Sequence, residues 1–325
     1  MNYQKDKTKY KSDRLHNMKN ILLALCFVSL LSACTKSNKT RDVTVAIVAD
    51  THFDQLPETD QYYHIRAINA LDDSLTSIGR DLNGIIVAGD LIDKLADGVL
   101  DLFKQRYEKG QGDKRPHTVV YPGLGNHDLD PINLAINPDS SYQKKVMLCY
   151  MDSFLVSMKA QKKILDYDSS SRTYSWNIQD VHFIQGQRAA GDISYCKSNL
   201  AWIEQDLEKY ASKGNPVVYI QHYAFDEESL LEWPESDRKQ LFDLFDNYNL
   251  QAVFVGHTHQ VSLQKYAGYT IYQVNNAWKD NDGNGSFAIL HITNDSLQIS
   301  TCKWIDDLGH TVLEAPSISK SLTKN

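Results

Sequence analysis

Five apolar runs in this sequence each stop at side chains that bind metals or move protons. Val43-Thr44-Val45-Ala46-Ile47-Val48-Ala49 stops at Asp50-Thr51-His52, and Ile85-Ile86-Val87-Ala88 runs into Gly89-Asp90. Thr118-Val119-Val120-Tyr121-Pro122 leads to Gly125-Asn126-His127-Asp128, Val217-Val218-Tyr219-Ile220-Gln221 to His222, and Ala252-Val253-Phe254-Val255 to Gly256-His257-Thr258-His259. Taken singly, an Asp after a strand is an ordinary cap, and Gly-Asn or Gly-His closes a loop. Taken together, Asp50, His52, Asp90, Asn126, His222, His257 and His259 supply oxygen and imidazole donors with no thiolate. That donor set suits divalent Mn, Fe, Zn, Ni or Co, not a Cys-rich structural zinc.

Continuous rather than alternating apolarity predicts strands covered on both faces. Between them, helical spacing covers residues 64–79, 142–165, 198–211 and 236–248; in the third, Leu200, Ile203 and Leu207 share a face while Glu204 and Lys209 point away. Buried strands alternating with amphipathic helices predict an α/β layered fold, in which ligands sit beyond the carboxyl ends of the strands. From Tyr269 to Trp304 the pattern changes to alternating segments such as Thr270–Val274 and Phe287–Ile292, separated by Asn, Asp and Gly, which predict antiparallel strands. No Pro/Gly/Ser-rich linker interrupts the chain, so one domain spans 42–310, followed by a tail at 311–325.

Asp50-x-His52, Gly89-Asp90, Gly125-Asn126-His127-Asp128, the lone His222 and Gly256-His257-x-His259 resemble, in order and type, the five blocks of the calcineurin-like metallophosphoesterases. The resemblance spans about residues 43–260 and implies a layered α/β/β/α sandwich of mixed sheets flanked by helices, with the metal site at the C-terminal strand ends. It implies two divalent metal ions: one held by Asp50, His52 and His259, the other by Asn126, His222 and His257, with Asp90 bridging. Shared carboxylate charge offsets the repulsion of dications about 3.5–4 Å apart, and a hydroxide between them attacks phosphorus. The resemblance further implies that His127 assists the leaving group, as a general acid or a phosphate-stabilising imidazolium, and that the Asp128 carboxylate hydrogen-bonds its imidazole; a purely structural His127 behind the ligands is the plain alternative. The implied reaction is hydrolysis of a phosphate mono- or diester on a small phosphorylated substrate. The alternative of another class is a non-catalytic surface lipoprotein that uses the same fold as a binding module.

One departure narrows the family. A purple acid phosphatase would carry Tyr three residues after the bridging Asp; Asp93 stands there, so no iron–phenolate chromophore is expected. Asp54 is either a partner behind the ligands or a solvated loop residue. Substrate choice falls to the loops, where Arg188 would clamp a phosphate bidentately if it faces the metals and is otherwise a surface Arg. Tyr223 and Tyr195 either stack on a substrate ring or pack ordinarily, and Asn275, Asn276 and Trp278 end a late strand that could line the cleft. Glu227, Glu228, Asp280 and Asp282 read as solvated loop charge.

The N-terminus carries Lys5, Lys7, Lys9, Lys11, Arg14 and Lys19, an apolar run from Ile21 to Leu31, and then Ser32-Ala33-Cys34. This is the three-part pattern of a signal peptide over 1–33, too short in its apolar part for a spanning helix, which needs about 20 residues. Leu31-Ser32-Ala33-Cys34 resembles the lipobox of bacterial lipoproteins, which implies a lipidated Cys34, a polar tether over 34–41 and anchorage in the cell envelope; Thr35 in place of Asp points to the outer membrane. An ordinary secreted signal is the plain alternative. Of the remaining cysteines, Cys149, Cys196 and Cys302 allow at most one disulfide and show no metal-type spacing. A formal net charge of −7 argues against a dedicated nucleic-acid binder.

Overall fold

The computed structural model describes residues 40–322, apart from 55–58, 111, 113, 130–139, 192–196 and 282. The chain runs β1 (Asp42–Val48), α1 (Thr59–Ser77), β2 (Gly84–Val87), α2 (Val99–Tyr107) and β3 (Val120–Pro122). The short α3 (Asn126–Leu129) and the long α4 (Ser140–Ala160) lead to β4 (Asp166–Tyr167), β5 (Tyr174–Ile178) and β6 (Val181–Gln185). After β7 (Ala190–Gly191) and β8 (Ser198–Asn199) come α5 (Leu200–Tyr210), β9 (Val217–Ile220), α6 (Glu227–Glu232), α7 (Glu235–Phe245) and β10 (Leu250–Val255). A hairpin of β11 (Ser262–Tyr266) and β12 (Tyr269–Gln273) precedes β13 (Ser286–Thr293), β14 (Ser296–Trp304) and β15 (Thr311–Ser321).

Two mixed sheets result, ordered β15-β14-β13-β1-β2-β3 and β11-β12-β10-β9-β6-β5-β4. Strands β1, β2 and β3 are mutually parallel, as are β6, β9, β10 and β12, so the predicted polar tips lie at common ends. The layers follow from strand alternation, because successive side chains leave opposite faces. Phe183, Val218, Ile220, Ala252 and Phe254 join the core that contains Val45, Ile47 and Ile86 of the first sheet. Their neighbours Ile184, Val217, Tyr219, Val253 and Val255 pack instead with Ile203, Leu207, Leu241 and Phe245 of α5 and α7. Ile65 and Ile68 of α1, Phe103 of α2 and Met151 and Leu155 of α4 pack into the core of the first sheet. The fold is therefore the layered α/β/β/α sandwich. Between the sheets, the rings of Tyr121 on β3 and Trp176 on β5 stack at 4.1 Å.

The four helices read from periodicity are present at 59–77, 140–160, 200–210 and 235–245. The third begins where Asn199 caps it, its side chain accepting from the Ala201 and Trp202 N–H groups. Helix α2 and strands β4 and β5 fall where the pattern was silent, while β6 is the strand-like run that precedes Arg188. Strand β12 differs from the antiparallel expectation on one side: it is antiparallel to β11 but parallel to β10. The predicted tail at 311–325 requires correction, since Thr311–Ser321 is β15, paired antiparallel with β14. Its side chains are almost all exposed, so backbone pairing holds it and hydropathy gives no sign of it.

Among the described residues no helix is long and apolar enough to cross a membrane. Cys149 is exposed and Cys302 buried, both as free thiols. The signal peptide, Cys34 and Cys196 lie outside the described residues.

His64 on α1 is fully buried, with Nδ1 3.1 Å from the Tyr107 hydroxyl and Nε2 3.3 Å from the Ser286 carbonyl. Burial pushes its pKa down to about 4, so the folded protein keeps it neutral while the unfolded chain protonates it below about 6.5. Stability must therefore fall as pH drops from about 6.5 to 4, with this residue contributing about 3 kcal/mol of the loss. Urea unfolding across that range should show a shallower acid limb for His64→Gln; an unchanged limb would remove His64 from the account.

Candidate metal centre

The donors sit where backbone pairing continues past the strand ends. Asp50 N–H donates to the Gly89 carbonyl at 3.1 Å and His52 N–H to the Asp90 carbonyl at 3.1 Å, zipping the loops after β1 and β2 together. Asp50, His52, Asp90, His257 and His259 all have positive φ, between 42° and 83°. Such left-handed conformations are uncommon for non-glycine residues and persist only where surroundings over-determine them. Gly89 and Gly125 permit the close approach. A Cβ on Gly89 would lie 2.6 Å from His222 Nδ1, and one on Gly125 2.1 Å from Asp90 Oδ1.

Asp50 anchors one half of the site. Its carboxylate accepts the His257 N–H at 3.0 Å and lies 3.5 Å from His259 Nε2 and 3.8 Å from His52 Nε2. His52 Nε2 and His259 Nε2 face each other at 3.1 Å. In the other half, His222 Nδ1–H donates to the Ala88 carbonyl at 2.9 Å, which leaves Nε2 directed at Asn126 Oδ1 (2.9 Å) and Asp90 Oδ2 (3.2 Å). Asp90 Oδ2 also stands 3.5 Å from His52 Nε2, so one carboxylate oxygen reaches both halves. The His257 ring lies 5.2 Å from that of His222. Lone pairs of nitrogen and oxygen converging this closely need a cation or a proton between them. The residues thus fit divalent metals: Asp50, His52 and His259 form one cluster of donor atoms and Asp50, Asp90 and His222 another, each within 4.8 Å.

The electrostatics agree. Burial lowers His257, but at two of the imidazoles the carboxylates overrule it: the neighbouring Asp50 and Asp93 raise His52 to about 10, and the Asp90 charge raises His222 to about 9. A site that draws protons this strongly exchanges them for metal, because imidazole ligands bind metal in the neutral form.

The assignment of Asp128 as partner of the His127 imidazole is corrected by the geometry. Asp128 is fully buried and its carboxylate accepts the N–H groups of Leu91, Ile92 and Gly125, at 2.9 to 3.1 Å. It pins the loop after β2 to the loop after β3. His127 Nδ1 instead meets Asp93 Oδ1 at 2.9 Å, and the same oxygen lies 3.5 Å from His52 Nδ1. Those two hydrogen bonds, to His127 first and His52 second, hold the Asp93 carboxyl well below the carboxylate range. The His127 backbone N–H donates to Asp90 Oδ1 at 2.9 Å, and its ring also falls within a donor cluster with His52 and Asp90. Asp93 is the site residue that sequence reasoning missed; its spacing from Asp90 drew notice only as the place where a Tyr is lacking.

Arg188 is not a surface residue: it is 2% exposed, 3.5 Å from Glu232 and over the Tyr223 ring at 5.6 Å. Tyr223 is buried, donates its hydroxyl to Glu232 and lies 4.9 Å from the His257 ring. Asp54 is half-buried, and Asp280 is not simply solvated, since it accepts the Asn276 amide at 2.7 Å. Trp278 reaches the site, 5.9 Å from His259 and 6.3 Å from His52. Tyr195 and Asp282 lie outside the described residues.

Comparison with known proteins agrees with this geometry. The sequence profile of the calcineurin-like phosphoesterases matches residues 43–261, and the chain belongs to that family. Its fold is similar to that of a dimetal phosphatase from Danio rerio, at 11% identity and TM-score 0.52, covering 86% of this chain and 99% of that one. It is equally similar to GAP50, the anchor in the inner membrane complex of Plasmodium, at 11% identity and TM-score 0.52, covering 87% and 90%. No curated protein matches the chain in sequence. Metal-dependent hydrolysis of phosphate esters is the chemistry of the family, and the donors for divalent metal are assembled here.

Replacing Asp90 by Asn removes the charge common to both halves of the site. Elemental analysis of the Asp90→Asn protein should show bound divalent metal well below that of the parent, with an unchanged circular dichroism spectrum; metal content equal to the parent would exclude the bridging role.

Proposed function

We propose that the protein is a phosphoesterase that hydrolyses a small phosphate ester at a dinuclear divalent-metal centre. The observation that carries this reading is the position of Asp90 Oδ2, within 3.5 Å of His52 Nε2 on one side and 3.2 Å of His222 Nε2 on the other. Asp50, His52 and His259 would hold one ion and Asn126, His222 and His257 the other. Bound there, the metals would supply a water of lowered pKa and positive charge for the phosphoryl oxygens.

The chain's own residues prepare the rest. Asp93 holds the Nδ1–H of His127, so only Nε2 is available to the cleft. The His127 pKa is raised: burial opposes this, but the Asp93 hydrogen bond and the Asp90 charge outweigh it. A protonated Nε2 can pass its proton to the leaving oxygen as the phosphorus–oxygen bond breaks. Asp93 is a positioning residue, since it acts through that imidazole. Asp128 keeps the two loops in register through the Leu91, Ile92 and Gly125 N–H groups. A similar fold is shared by a dimetal phosphatase and by a protein described as an anchor, so the fold does not decide between them. The intact donor set and the Asp93–His127 pair favour catalysis. The signal pattern ending at Cys34 supports a lipid-anchored location in the bacterial envelope, where the substrate would be a soluble phosphate ester or a lipid headgroup.

General-acid assistance has a signature in the leaving group. With manganese added, His127→Ala should lower kcat about 100-fold or more on alkyl phosphates but far less on 4-nitrophenyl phosphate, whose leaving group needs no proton. Asp93→Asn should show the same pattern at smaller amplitude. Equal losses on both esters would exclude proton donation by His127, and no turnover of any mono- or diester by the metal-loaded parent would exclude the hydrolytic reading.

A further inference from the structure

Among the described residues, two aromatic side chains contact the donor imidazoles, one beside each half of the site. Tyr223 lies against His222 and His257, at 5.9 and 4.9 Å, but is 3% exposed, with its hydroxyl on Glu232 and Arg188 over its ring. It is a packing residue. Trp278 lies against His52 and His259, at 6.3 and 5.9 Å, and is only half-buried. Its indole is not sealed as the Tyr223 ring is, although its Nε1 is enclosed and meets no hydrogen-bond partner.

The loop that carries Trp278 is held on several sides. Val274 N–H donates to the Val255 carbonyl at 2.8 Å, Ala277 N–H to the Asp50 carbonyl at 3.3 Å, and Ser286 N–H to the Asn276 carbonyl at 3.1 Å. Trp304 Nε1–H donates to the Ala277 carbonyl at 3.2 Å, and the Asn276 amide to Asp280. The link from Ala277 to Asp50 ties the backbone next to Trp278 to a metal-ligand residue, so the segment that carries the ring is placed before any substrate arrives. A preplaced aromatic face loses little entropy on stacking and favours a planar, polarisable partner over a saturated ring of similar size.

We propose that Trp278 is a specificity-determining residue that stacks on a planar ring carried one or two bonds from the scissile ester oxygen. The inference rests on the hydrolytic reading of the same site. The indole stands about 6 Å from the His52 and His259 rings, and the His127 ring, which we assign to the leaving group, stands 4.5 Å from that of His52, so the indole shares the half of the site that the leaving group would enter.

Benzyl phosphate and cyclohexylmethyl phosphate have leaving groups of similar basicity and differ in ring planarity, which isolates the effect. With the full chain and manganese, kcat/KM should favour the benzyl ester by about threefold to tenfold, as expected for one aromatic pair. The ratio should fall to about one in Trp278→Leu and largely persist in Trp278→Phe. Calorimetric binding of benzylphosphonate against cyclohexylmethylphosphonate, which requires no turnover, should give the same ranking. A parent ratio of one, a ratio unchanged in Trp278→Leu, or phosphonates bound without preference overturns the proposal. Retained phosphonate preference with no turnover of these or any other phosphate mono- or diester would support Trp278 stacking and overturn the hydrolytic reading alone.

Discussion

Two carboxylates, Asp50 and Asp90, are withdrawn from water at the junction of two sheets, and buried charge of one sign is tolerable only beside compensating positive charge. Everything else at this end of the molecule answers that constraint. Four imidazoles and an amide gather around the pair, and the backbones of His52, His257 and His259, like those of the two aspartates, accept left-handed conformations. Without metal, protons on His52 and His222 serve as the counter-charge; divalent ions would do so with greater charge in the same positions.

The sandwich makes that convergence possible. Parallel pairing within each sheet brings the C-terminal ends of β1, β2 and β3 together, and likewise those of β9 and β10. The inner faces then bury Val45, Ile47, Val218, Ile220 and Phe254 in one core, which fixes the sheets against each other to within the tolerance of close packing. Loops crossing between the sheets complete the lock, as where the His257 N–H reaches the Asp50 carboxylate from the other sheet.

Division of labour among the acidic residues follows from what each can reach. Asp128 faces three backbone N–H groups and spends its oxygens on loop geometry. Asp93, a third exposed, reaches the imidazoles of both His127 and His52 at the mouth of the site. The aromatic walls divide in the same way: Tyr223 is sealed beneath Arg188, whereas Trp278 stays half-buried.

Sequence alone determined the fold class and the five strand tips, because each rests on local features: unbroken apolar runs with donor types placed directly after them. Helix α5 was legible to within two residues at its start for the same reason. The exposed strand β15 was not, since backbone pairing leaves no hydropathy pattern. Nor was the His127 partner. Asp128 is adjacent in the chain and Asp93 is 34 residues away, yet the helical turn that begins at Asn126 sends successive side chains in different directions, carrying Asp128 inward and His127 toward the loop after β2. Burial of Arg188 was equally a matter of what packs over it. Tertiary structure alone decided which acid holds the histidine and which aromatic ring is sealed, because both depend on contacts between segments that no local pattern relates.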